Sequence, residues 1–97
     1  MKFEWDPNKE KINQQKHGVN FEQAAYVFSD PFALSLFDEA HSETEDRWII
    51  LGQSVKEMIL VVVHTYRDKN GAESVRIISA RKASKNEIKQ YRKRQPK

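Results

Sequence analysis

The stretch "LVVVHTYRDKNGAESVRIISAR", residues 60–81, constrains the fold more than any other part of the chain. It holds two runs rich in Val and Ile on either side of Asn70-Gly71. Asn-Gly is the strongest short-range signal for a tight hairpin turn, because both central residues of a type I′ turn need positive φ. With Asn70 and Gly71 at the turn centre, Lys69 faces Ala72. Tyr66 then faces Val75, Thr65 faces Arg76, His64 faces Ile77, Val62 faces Ser79 and Leu60 faces Arg81. Strand side chains alternate between faces. This register puts His64, Tyr66, Ser79 and Arg81 on one face, and Thr65 and Arg76 on the other. A one-residue bulge would move half of that set across the sheet.

The other elements follow from local signals. "FEW", 3–5, reads as a short strand. Asp6 and Pro7 suit the N-cap and first position of a polar helix ending at Gly18. Asn20 starts a second helix, in which Phe21, Ala24, Ala25 and Phe28 form an apolar face and Pro31 stops the run. "FALSLFD", 32–38, and "RWIILGQS", 47–54, are strand-like and flank an acidic loop, 39–46. "EMILVVVHTYR", 57–67, and "ESVRIISAR", 73–81, are the two strongest strands. Ser84 and Glu87 form a capping box for a last helix over 84–94, with Ile88 and Tyr91 on one side. The order is β-α-α-β-β-β-β-α. It predicts an α+β fold, a mostly antiparallel sheet with helices packed on one face, as a single domain over residues 1–97. The near-continuous apolar runs 58–63 and 75–80 further predict that part of the sheet is covered on both sides.

Charge is unevenly spread. Residues 81–97 contain eight Lys/Arg and one acid, whereas residues 1–80 contain nine Lys/Arg and thirteen Asp/Glu. A basic end on an acidic body suits a polyanion or an acidic partner, although a solvated basic tail has the same composition. The chain has no cysteine, which removes disulfides and thiolate metal sites. The N-terminal segment lacks the apolar core of a secretory signal, and "MILVVV" is too short to span a bilayer. The expected location is the cytoplasm, with no membrane association. The glycines are too scattered for a phosphate-binding loop, and "HSETED" matches no metal-ligand spacing, so no cofactor or metal is expected.

The hairpin and the basic segment together carry the candidate chemistry. His64 and Tyr66 are possible acid/base groups, and Arg76 and Arg81 are guanidinium groups suited to phosphate. Each alone has a structural explanation: a hydrogen-bonded histidine, a core-edge tyrosine, an arginine paired with an acid. Lys82, Lys85, Lys89 and Arg92 would hold a nucleic-acid backbone by charge.

Five blocks, "FEWDPNK", "KHGVNFEQAAYVFSDP", "HSETEDRW", "LVVVHTYR" and "RIISARKAS", resemble the BrnT family of bacterial type II toxins in order and spacing. The resemblance runs nearly end to end. It departs at Tyr66, where the family commonly has Glu. The resemblance implies a RelE-like ribonuclease fold and metal-independent RNA cleavage that blocks translation and arrests growth. The mechanism that fits both the residues and the resemblance is attack of the RNA 2′-OH on the adjacent phosphorus, with His64 expected as base or acid, Arg76 and Arg81 as phosphate-stabilising groups and Tyr66 as a stacking or proton-transfer partner. It also implies a BrnA-like ribbon-helix-helix antitoxin that forms a hetero-oligomer with the toxin and alone contacts operator DNA. The competing reading is a non-catalytic basic module that docks nucleic acid or a protein.

Overall fold

The computed structural model describes residues 1–41, 45–69 and 71–95. Its elements run β1 (Lys2–Glu4), α1 (Pro7–His17), α2 (Phe21–Tyr26), β2 (Leu34–Phe37), β3 (Trp48–Gln53), β4 (Ile59–Lys69), β5 (Ala72–Lys82) and α3 (Lys85–Lys93). The fold is α+β in the order expected. One five-stranded sheet has the spatial order β1-β5-β4-β3-β2. Strands β2 to β5 form an antiparallel meander, and β1 joins β5 in parallel, with Phe3 beside Val75 and Glu4 beside Arg76.

The caps are those the sequence signals. The Asp6 carboxylate accepts from the Asn8 amide at 2.8 Å, and Gly18 ends α1 at φ 70°. Asn20 with Gln23, and Ser84 with Glu87, form reciprocal capping boxes. The β4–β5 hairpin closes at Lys69 and Ala72, and Gly71 has φ 77°. Asn70, on which the type I′ expectation also rested, lies outside the described residues, as do residues 42–44 of the acidic loop.

Each sheet face carries its own apolar cluster. On the first face, α2 buries Phe21 and Ala24 against Leu60, Val62, Val75, Ile77 and Ala80. On the second, Tyr91 of α3 packs with Leu51 and Val61. The helices are therefore not confined to one face: α3 crosses to the other side, which explains why the central strands are apolar at almost every position. The Tyr91 hydroxyl donates to the Asp30 carboxylate at 2.5 Å, fixing α3 to the segment between α2 and β2. That segment can approach β3 because position 52 is glycine; a Cβ there would lie 2.9 Å from Val27 Cγ1.

Helix α1 lies against β5 where β1 stops. Its one buried residue is Asn13. The Asn13 amide donates to the Ala80 carbonyl at 2.8 Å and to the Val19 carbonyl at 3.0 Å, and accepts from the Ala80 N–H at 3.1 Å. A side chain thus completes the strand edge that β1 is too short to cover.

Candidate active site

The expected register holds from the turn to His64 and then breaks. Thr65 pairs with Arg76 and His64 with Ile77, but Val63 pairs with Ser79, Val62 with Ala80 and Val61 with Arg81. Ile78 is the extra residue on β5, so the hairpin contains a bulge. The shared face expected for His64, Tyr66, Ser79 and Arg81 is corrected accordingly. His64 and Tyr66 stay on the first face, and Ser79 and Arg81 move to the second, with Thr65 and Arg76.

His64 is fully buried. Its ring packs edge-on against Phe28 at 4.7 Å and Tyr66 at 5.2 Å between centroids. Nδ1 lies 3.3 Å from the Val62 carbonyl, and Nε2 has no hydrogen-bond partner among the described residues. Burial penalises the charged form and pushes the imidazole pKa down to about 4. The ring is neutral at pH 7 and shielded from solvent. Tyr66 stands outside it, 41 % exposed, with Trp48 and Phe37 continuing an aromatic row. Burial and the charge of Glu73 hold the Tyr66 phenol above its ordinary pKa, so it carries its proton.

Arg81 is engaged by the last helix. Its two terminal nitrogens donate to Glu87 Oε1 and Oε2 at 2.8 and 2.9 Å. This bidentate pair draws the Glu87 carboxyl pKa down to about 2 and raises that of Arg81. Lys82 ends β5 in solvent, and Lys85, Lys89 and Arg92 are exposed on α3. Their spacing places the last three along one side of the helix, away from the buried Tyr91.

The second face holds another arrangement at the turn end of the hairpin. Glu4 lies between Arg67, at 3.7 Å, and Arg76, at 3.9 Å. Arg67 also approaches Glu45 at 3.7 Å. The side chains of Glu4, Arg67 and Arg76 are 30–37 % exposed, although Glu4 Oε1 and Arg67 Nε, the atoms of their contact, are themselves buried. Thr65 is buried in the same region, its hydroxyl without a hydrogen-bond partner among the described residues. These separations are longer than the Arg81–Glu87 contacts, so the guanidinium groups keep donors for an anion. Arg76 and Arg81 share this face, but their partners Thr65 and Val61 are four residues apart, roughly 13 Å along the strand.

Of the residues singled out in the sequence, the fold joins His64 with Tyr66 and separates that pair from Arg76 and Arg81. It adds Glu4 and Arg67. Both were visible inside the quoted blocks "FEWDPNK" and "LVVVHTYR", but the parallel pairing of β1 with β5 that unites them spans some seventy residues. Among the described residues, no group of three His, Cys, Asp or Glu side chains converges as metal ligands would, and no helix is long and apolar enough to cross a membrane.

Residues 5–87 match the sequence model of a family described as the ribonuclease toxin BrnT of a type II toxin–antitoxin system. Among solved structures, the fold is similar to the 1.1 Å crystal structure of the Brucella abortus ribonuclease toxin BrnT. The two are 29 % identical with a TM-score of 0.64, over 88 % of this chain and 99 % of the other. No curated protein matches.

Proposed function

Because the chain belongs to the BrnT family of ribonuclease toxins of type II toxin–antitoxin systems, we propose that Glu4, Arg67 and Arg76 are its RNA-cleaving centre. The observation that carries this reading is a carboxylate held between two guanidinium groups on the second sheet face, its side chain part-exposed although the Oε1 atom they share is buried. Cleavage of RNA through its own 2′-OH needs a base at that hydroxyl and fixed positive charge around the phosphorus.

Here the Glu4 carboxylate takes the 2′-OH proton. The 2′-oxygen forms a bond to phosphorus as the bond to the 5′-oxygen breaks. A proton from solvent water passes to that oxygen and Glu4 returns its own to solvent, which completes a 5′-OH end and a 2′,3′-cyclic phosphate with no metal required. Arg67 and Arg76 bind the non-bridging oxygens, whose charge grows in the transition state. A general base contributes typically ~10²–10⁴-fold. His64, buried and neutral, is a positioning residue that sets Tyr66 and the β4 backbone bearing Thr65 and Arg67. Arg81 holds α3 through Glu87, and Lys82, Lys85, Lys89 and Arg92 extend a basic track for the RNA backbone.

The family implies a protein antitoxin. A BrnA-like ribbon-helix-helix partner would silence the toxin by covering the second face with acidic and apolar groups, leaving operator DNA to the antitoxin. Uncovered, the toxin arrests growth by destroying RNA needed for translation in the cytoplasm.

The test is to incubate purified protein with an RNA, its 2′-O-methyl counterpart and DNA of the same sequence, with EDTA present. The expected result is cleavage of the unmodified RNA alone, with cyclic phosphate ends seen by mass spectrometry. RNA that is bound and left intact would return the chain to the non-catalytic module. Cleavage of the methylated strand or of DNA would rule out 2′-OH attack.

A further inference from the structure

Beside the bulge at Ile78 a small cavity lies against α1, apart from the proposed cleavage centre. It has a volume of about 230 Å³ and is lined chiefly by Lys9, Ile12, Lys16, His17, Ile78 and Ser79. Lys9, Ile12, Asn13 and Lys16 fall at helical positions i, i+3, i+4 and i+7, so one stripe of α1 supplies most of one wall. Ile12 is the only large apolar residue of that polar helix, yet it is 63 % exposed. The bulged Ile78, half-buried, stands on the opposite wall.

The cavity therefore combines an apolar floor, a cationic rim and a polar strand residue, Ser79. Neither Lys9 nor Lys16 has an ion-pair partner among the described residues. Ser79 also stands on the second sheet face, three residues along β5 from Arg76. An RNA strand with its phosphate at Arg76 would reach this cavity with a neighbouring nucleotide.

We infer that the cleft between α1 and the β5 bulge is a nucleotide subsite for single-stranded RNA, in which a base packs on Ile12 and Ile78 while Lys9 and Lys16 hold the adjoining phosphates. The charge complementarity selects a polyanion, and the apolar floor selects one with an unpaired base to bury. This rests on the proposed ribonuclease reading and extends it to substrate recognition.

The test uses a short 2′-O-methyl RNA oligomer, which binds without being cut, followed by fluorescence anisotropy over a salt series. Lys9→Ala with Lys16→Ala should weaken binding and reduce the slope of log Kd against log salt by about 1.4, for two contacts at ~0.7 each on single strands. Ile12→Ser should abolish the parent's preference for the complete oligomer over one with an abasic site. On cleavable RNA these variants should raise KM and leave kcat unchanged, since they sit beside the reacting phosphate and not on it. All three residues are accessible, and circular dichroism checks the fold. Parent-like affinity, slope and base preference in a chain that still cleaves RNA would overturn the subsite and leave the cleavage centre standing. A parent that cleaves nothing would instead refute the ribonuclease reading. Variants that bind RNA normally but escape the antitoxin would assign the cleft to that partner and overturn the proposal.

Discussion

Replacing Asn13 with Ala should destabilise this domain more than replacing any other residue of α1 with Ala. Three buried backbone groups rely on the Asn13 side chain: the Ala80 N–H, the Ala80 carbonyl and the Val19 carbonyl. A hydrogen bond of this kind contributes about 1 kcal/mol net, and a stranded buried group costs ~1–3 kcal/mol. Three together give a loss of about 3 kcal/mol at least, since the groups lie too far inside for full resolvation. In a domain of this size 1 kcal/mol moves Tm by ~4–8 °C, so the expected fall is roughly 12–24 °C. Asn13→Asp sharpens the test. It keeps the acceptor for the Ala80 N–H but aims a carboxylate at two carbonyl oxygens, and should be no milder than Asn13→Ala. Urea unfolding followed by circular dichroism measures both, with the m-value expected to stay at the parent's value. A loss below about 1 kcal/mol, inside one typical hydrogen bond, would refute the idea that Asn13 substitutes for a missing strand.

Stability should also depend on pH through His64. Its imidazole titrates at about 4 when folded, against 6.5 for the free group, so the unfolded chain binds the proton first. The stabilisation is whole above pH 6.5 and is lost as pH falls toward 4. At 1.36 kcal/mol per pH unit it amounts to about 3 kcal/mol, and unfolding curves of parent and His64→Phe at pH 7.5 and 4.5 should show a smaller fall in the variant. Glu87 behaves in the same direction at lower pH, because its folded pKa of about 2 is depressed below the ordinary 4.5. Its contribution is present above pH 4.5 and fades toward 2. Since Arg81 is nearly half exposed, Arg81→Ala should cost no more than about 1 kcal/mol globally, while amide exchange in α3 quickens by up to fivefold.

The hairpin shows why some of the molecule could be read from sequence and some could not. Turn chemistry is local, so pairing from Lys69 with Ala72 back to His64 with Ile77 follows from Asn70-Gly71. The bulge leaves no such mark. "RIISA" contains neither Gly nor Pro, and reads as an unbroken strand. The extra residue is accommodated by the surrounding packing, with Ala80 turned into the first-face core and Arg81 toward Glu87 of α3. The same limit hid the proposed cleavage centre. Glu4 looks like the polar half of a two-residue alternation until β1 settles beside Arg76, which is a matter of long-range pairing. Nothing in the sequence of a polar helix marks Asn13 as buried, because its partners are backbone groups, which sequence does not display. The α3 capping box and Tyr91 were legible, yet which sheet face α3 covers depends on the tether to Asp30.

The most direct test of the proposed cleavage centre is initial-rate RNA cleavage by Glu4→Gln, Arg67→Ala, Arg76→Ala and Arg81→Ala, each confirmed folded, beside the parent. Glu4→Gln should lose ~10²–10⁴-fold in kcat, as expected for removal of a general base. Arg67→Ala and Arg76→Ala should fall by ~10²–10³-fold, the usual effect of losing a charge-stabilising donor. Arg81→Ala should stay within tenfold of the parent. Parent-like kcat in Glu4→Gln and Arg76→Ala, with activity lost in Arg81→Ala, would contradict the assignment and move the chemistry to the α3 end of the sheet.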